Sequence, residues 1–147
     1  MITIGIVSGY FNPVHAGHID YIKDSKNQCD YLITIVNNDK QVEVKKSFPF
    51  MNENHRCKIM SNLKFVNEVV LSIDEDGTVC KTLQKLYNRY NDDDDFKLKF
   101  FNSGDRVNNY DSKEKKLCEE LNIQYVIIDS PKIHSSSKLI ENILNNK

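Results

Sequence analysis

The chain has no tryptophan, three prolines, five glycines and only three arginines, and it carries no surplus of either charge. Each shortage excludes something. With 20 Lys+Arg against 21 Asp+Glu, the formal net charge is −1. There is no broad basic face for duplex nucleic acid or an anionic membrane, so neither is expected as a partner. No apolar run approaches the roughly 20 residues needed to span a bilayer. Met1-Ile2-Thr3-Ile4 reads directly as strand, without the basic start and cleavage site of an export leader, so a cytoplasmic location is expected. No internal repeat or linker interrupts the 147 residues. They are expected to form one domain, residues 1–147, burying about two-thirds of the surface of the unfolded chain.

The four cysteines (Cys29, Cys57, Cys80 and Cys118) are widely spaced and include no C-x-x-C. They read as reduced, mostly buried thiols rather than metal ligands or disulfides. Lys and Asn appear 17 times each and Ile 15 times, while Arg appears three times. A replacement of Arg by Lys on this scale reads as the drift of an AT-rich genome. It singles out Arg56, Arg89 and Arg106, because only Arg supplies a planar two-pronged donor for phosphate.

What is present alternates. Short apolar runs at Thr3–Ser8, Tyr31–Val36, Glu68–Ser72, Lys97–Phe101 and Gln124–Asp129 have the composition of strands buried on both faces. Between them lie helical patterns at His18–Gln28, Asn54–Leu63, Val79–Tyr90, Ser112–Leu121 and Ser136–Leu144. The acidic stretch Asn91-Asp92-Asp93-Asp94-Asp95 reads as a solvated turn. Five β-α units predict an α/β fold: a Rossmann-like, doubly wound, five-stranded parallel sheet with helices on both faces. In such sheets ligands bind beyond the carboxyl ends of the strands. The segments there are Gly9–His18, Asn37–Pro49, Ser72–Gly77, Asn102–Tyr110 and Ser130–Ser137.

The first of these, Gly9-Tyr10-Phe11-Asn12-Pro13-Val14-His15-Ala16-Gly17-His18, leads into a helix. Gly9 permits a turn or a close approach, Pro13 stiffens the loop, and Gly17 leaves the helix entrance open. His15 and His18 are three residues apart, so both rings can face one way at a helix N-terminus. Free amides and the positive dipole end favour phosphate there. Neither a P-loop nor a Gly-x-Gly-x-x-Gly fingerprint is present, and the H-E-x-x-H spacing of a zinc site is absent, so no resident metal is expected.

Gly9-x-Phe11-Asn12-x-x-His15-x-Gly17-His18 resembles the G-x-F-[DN]-x-x-H-x-G-H signature of the HIGH-type nucleotidyltransferase superfamily. The pattern is most similar to that of glycerol-3-phosphate cytidylyltransferases and heptose-1-phosphate adenylyltransferases. The resemblance covers nearly the whole chain. Cys29–Asp39 is similar to their second-strand region, and Lys45-Lys46 follows where they carry phosphate-binding lysines. Asn54-His55-Arg56 resembles their E-x-R helix start, Phe65–Val70 their x-V-D-E-V-V strand, and Asp74–Thr78 their E-D-T stretch. Asn102-Ser103-Gly104-Asp105-Arg106 resembles their G-G-D-x loop, and Lys132–Ile140 the Ser/Thr segment opening the last helix.

The resemblance implies that AMP or CMP passes from ATP or CTP, with Mg²⁺, to the phosphate of a small acceptor such as a sugar phosphate, polyol phosphate or phosphorylated amino alcohol. Pyrophosphate would be released. It assigns His15, His18, Lys45 and Lys46 to catalysis, and Gly9, Tyr10, Phe11, Asn12, Gly17, Gly104, Asp105, Ser135, Ser136 and Ser137 to the nucleotide. Arg56 and Arg106 would serve the acceptor, and a homodimer is implied. Three departures leave the base and acceptor open: Asn12 where many cytidylyltransferases have Asp, no Arg ahead of the Ser/Thr segment, and Asn67 in place of Asp. The alternative is a non-catalytic nucleotide-binding or scaffolding module on the same fold.

Overall fold

The computed structural model describes residues 1–103 and 112–128. Five strands, β1 (Ile2–Gly9), β2 (Tyr31–Val36), β3 (Glu68–Leu71), β4 (Phe96–Ser103) and β5 (Gln124–Ile128), form one parallel sheet in the order β3-β2-β1-β4-β5. The central pair earns its place by composition. Ile4, Ile6 and Val7 of β1, and Leu32, Ile33, Ile35 and Val36 of β2, are all buried, as a strand covered on both faces requires.

The helices are α1 (Ala16–Lys26), α2 (Asp39–Val44), α3 (Glu53–Ser61), α4 (Cys80–Tyr90) and α5 (Lys113–Leu121). Leu83 and Leu86 of α4 and Cys118 of α5 pack on Ile4, Ile6, Ile33, Ile35 and Phe100. Tyr21 and Ile22 of α1 and Met60 of α3 pack on Val7, Leu32, Val36 and Phe101 on the opposite side. Both faces of the sheet are thus clad, as the sequence leads one to expect. The core is tight beneath α1: a Cβ on Gly5 would lie 2.6 Å from Cys29 Sγ and 2.8 Å from the Phe101 ring. The acidic run before β4 is an exposed turn.

Winding reverses between β1 and β4, which pair with Ile6 opposite Phe100. In open α/β sheets such a reversal marks where ligands bind, beyond the carboxyl ends of the strands. The loop after β1 begins at this place.

Several boundaries differ from expectation. β4 extends to Phe96–Ser103, and α1 starts at Ala16 rather than His18, so His15 caps the helix and His18 lies in its first turn. α2 occupies part of a segment read as loop, for it is short and largely polar. Asp129 and the helix expected over Ser136–Leu144 lie outside the described residues. No helix among the described residues is long and apolar enough to cross a membrane.

Candidate functional site

His15 is the N-cap of α1, with extended backbone, and its Nδ1 accepts the amide of Gly17 at 3.1 Å. His18, in the third helical position, turns back so that its own Nδ1 accepts the amide of His15 at 3.1 Å. This is a capping box built from imidazoles instead of the usual Ser and Glu. The rings stack with centroids 3.8 Å apart and planes 22° off parallel. An Nδ1 that accepts an amide proton cannot carry one, so the bonding assigns both neutral rings to the tautomer with the proton on Nε2. Two N–H donors and the helix dipole therefore sit together at the carboxyl end of β1.

Beneath the pair lies Phe11, buried, with φ +51°, its ring edge-on to His18 at 5.0 Å. A Cβ on Gly9 would meet that ring at 2.8 Å, so glycine is needed for space and not for a positive φ. Phe11 was expected on the nucleotide. Closed off from solvent among Val7, Tyr21, Ile22 and Phe101, it instead supports His18 from below.

Asn12 was given the same role, and it too is engaged within the chain. Its Nδ2 donates to Phe48 O at 2.7 Å, and its Oδ1 accepts the amide of Phe50 at 2.8 Å. The side chain thus pairs with a backbone stretch as a neighbouring strand would, fastening the loop after β2 to the loop after β1. Lys45, the C-cap of α2, holds its Nζ 4.1 Å from the centroid of the Tyr10 ring. Lys46 follows with φ +58°. Its amide bonds Glu43 O at 2.9 Å and that of Ser47 bonds Val42 O at 3.1 Å, the Schellman ending whose left-handed position glycine usually fills. Both lysines are exposed, and the contact with Tyr10 brings Lys45 against the loop after β1.

Arg56 does not stand where a phosphate would find it. Its side chain is wholly buried at the start of α3. Nε donates to Met51 O at 3.0 Å, Nη1 to Tyr10 O at 2.8 Å and Asn37 O at 2.6 Å, and Nη2 to Asp39 Oδ1 at 2.7 Å. The expectation of a direct acceptor contact is corrected accordingly: a guanidinium with four acceptors and no exposed surface joins the loops after β1 and β2 from within.

The third loop is tied in the same manner. Asn38 Nδ2 donates to Ser72 O and Asp74 O, and the buried Gln41 donates to Asp76 O and Thr78 O. Asp74 caps α4, accepting the amides of Lys81 and Thr82. Hydrogen bonds from the Thr78 side chain and then its backbone hold the Asp76 carboxyl below its ordinary pKa. Asn67 accepts the amide of Leu32 at 2.8 Å, a task that an amide oxygen performs as well as a carboxylate. The sequence reading missed these joints, although Asn38-x-x-Gln41 is a legible capping-box pattern. Gly104, Asp105, Arg106, Ser135, Ser136 and Ser137 lie outside the described residues. Among the described residues no group of three or more His, Cys, Asp or Glu converges as metal ligands would.

A family model described as cytidylyltransferase-like matches residues 6–146, and the chain belongs to that family. It is 33% identical over 81 residues to an FAD synthase of Ferroglobus placidus, covering 55% of this chain and 51% of that protein. It is 34% identical over 71 residues to the bifunctional protein HldE of Granulibacter bethesdensis, covering 47% of this chain and 15% of that one. The chain thus spans about half the length of the FAD synthase it matches. Two solved structures share its fold. A lipopolysaccharide core biosynthesis protein from Thermoplasma volcanium GSS1 superposes with TM-score 0.69 at 23% identity, over 90% of this chain and 100% of that one. A bifunctional NMN adenylyltransferase/ADP ribose pyrophosphatase from Francisella tularensis superposes with TM-score 0.70 at 13% identity, over 100% of this chain and 43% of that one. The resemblance read from the first loop is borne out at the level of the family.

Proposed function

We propose that the chain is a nucleotidyltransferase that moves the nucleoside monophosphate part of a triphosphate onto the phosphate of a small acceptor. An acceptor oxygen attacks the α-phosphorus in line, the bond to the β-phosphate breaks, and pyrophosphate leaves. No protein nucleophile is needed, and positioning together with charge stabilisation supplies the rate. The observation that carries this reading is the reciprocal cap of His15 and His18, which fixes two stacked imidazoles at the start of α1 beside the β1–β4 reversal. Donors fixed in advance, where negative charge develops, need no reorganisation during reaction.

Lys45 and Lys46 neutralise phosphate charge in this reading, and Tyr10 and Gly17 line the nucleotide. Gly104, Asp105, Ser135, Ser136 and Ser137 complete the triphosphate site as the family pattern implies, with Arg106 on the acceptor. Mg²⁺ accompanies the triphosphate, whose oxygens supply hard ligands. Both histidine Nδ1 atoms are already engaged by amides and so do not serve it. The names FAD synthase and NMN adenylyltransferase favour ATP over CTP as donor.

The test is a matrix of the four common triphosphates against phosphorylated sugars, polyol phosphates and flavin mononucleotide, read by pyrophosphate release. Turnover with one donor–acceptor pair supports the reading. Tight nucleotide binding without turnover anywhere in the matrix would favour a non-catalytic module.

A further inference from the structure

β1 and β4 pair side by side from Ile2–Phe96 to Ile6–Phe100 and then part. Beyond that point β1 runs on beside β2 to Gly9, and β4 beside β5 to Ser103. Phe101 is the first residue of β4 past the split. Its main-chain oxygen accepts a hydrogen bond from the hydroxyl of Tyr21, in α1, at 2.5 Å. Both residues are buried, at 4% and 0% exposure for Tyr21 and Phe101, where a carbonyl left without a donor would be destabilising. The bond joins positions 80 residues apart and ties α1 to the strand across the split. Tyr21 also follows His18 by three residues, on the same helix face. Phe11, edge-on to His18 at 5.0 Å, belongs to the same buried cluster as Tyr21 and Phe101.

We propose that Tyr21 is a positioning residue: by anchoring α1 to Phe101 O, it sets where the His18 imidazole stands relative to the carboxyl end of β4. The inference rests on the transferase reading above, in which the histidine pair meets the charge developing during transfer. Tyr21 touches no substrate in this reading and acts through the helix. Apolar packing alone is non-directional and would fix the depth of α1 on the sheet better than its placement along it. A hydrogen bond with narrow limits of distance and angle fixes that placement. Placement matters to rate, since a shift of about 1 Å caused by a change far from the reacting atoms can cost on the order of 10². Ser25, one turn further along α1, supplies the contrast. Its hydroxyl is equally buried but donates to Tyr21 O at 2.8 Å, within the helix. That bond serves α1 without tying it to the sheet.

Tyr21→Phe keeps the ring and its packing and removes only the hydroxyl, so the variant should fold. Ring-nitrogen NMR of the full chain without ligand is expected to show the His15 and His18 signals displaced, with those of His55 in place. With a donor–acceptor pair that turns over, kcat should fall about tenfold and KM for the triphosphate should change by less than about twofold. Ser25→Ala should melt earlier than the parent yet retain both its histidine signals and its kcat. A hydroxyl that merely stabilised the fold would lower the melting temperature in both variants and move neither readout. The proposal is overturned if Tyr21→Phe keeps parental His18 signals or parental kcat. An equal fall of kcat in Ser25→Ala would overturn it as well, because loss of stability would then suffice. The NMR comparison needs no turnover. If no pair releases pyrophosphate, the transferase reading falls, and the histidine signals still decide whether Tyr21 positions His18.

Discussion

Arg56 Nη2 stands 2.7 Å from Asp39 Oδ1, in a pair whose arginine is wholly buried and whose aspartate is 33% exposed. The asymmetry sets what each member is worth. Removing the arginine strands three carbonyls and a carboxylate, whereas removing the aspartate leaves the guanidinium with three other acceptors. Arg56→Ala is expected to destabilise the fold by about 3–5 kcal/mol, with Asp39→Asn costing clearly less. Arg56→Lys should fall near the alanine variant, because an ammonium does not reproduce the planar fork. Urea unfolding followed by circular dichroism checks the order.

The two-sided use of His18 allows its structural and chemical roles to be separated. Asn places an oxygen near the position of Nδ1, so His18→Asn should keep the bond to the amide of His15 and lose the Nε2–H donor. We expect near-parental stability and a fall in kcat on the order of 10², with KM much less affected. His18→Ala should lose the helix cap as well and melt earlier. A His18→Asn variant with parental turnover would remove the histidine donor from the mechanism.

Lys46 combines an ammonium group with a left-handed backbone that most residues adopt only at a cost of about 1–2 kcal/mol. Lys46→Gly should therefore match or exceed the parent in stability while lowering affinity for the triphosphate. Lys46→Ala should lose the charge without relieving the strain. Thermal melts set beside nucleotide titrations distinguish the two contributions.

All four thiols are raised above their ordinary pKa by burial, Cys118 to about 12. The thiolate is the reactive form, so the folded chain should alkylate slowly at neutral pH. Full reaction of the four cysteines is expected only in denaturant, and iodoacetamide labelling counted by mass spectrometry tests it. Cys29, Cys57 and Cys80 are half-buried and Cys118 is buried, so rapid labelling of Cys118 in the native chain would contradict its place in the core.

The sheet was legible because β1 and β2 are buried on both faces and so read as unbroken apolar runs. The first loop was legible because Gly9, Phe11, His15, Gly17 and His18 are close in sequence. What escaped depends on distance along the chain. Arg56 looked like a phosphate ligand because only arginine supplies a planar two-pronged donor and because the resemblance assigns this helix start to the acceptor. Its partners Tyr10 O and Asn37 O lie 46 and 19 residues away, and carbonyls leave no mark in a sequence. Asn12 likewise looked like a ligand contact, while its partners are the backbone of Phe48 and Phe50. Polar side chains in this site are largely occupied in holding loops, and type alone does not reveal whether a donor faces inward or outward.

Gly9 and Phe11 share one volume, since a methyl group at position 9 would stand 2.8 Å from the ring at position 11. Neither can change alone without displacing the support under His18. In a lineage of such chains the two positions would be inherited as a unit: a side chain could appear at 9 only after a smaller residue had arrived at 11. The intermediate would carry a hollow beneath the histidine pair.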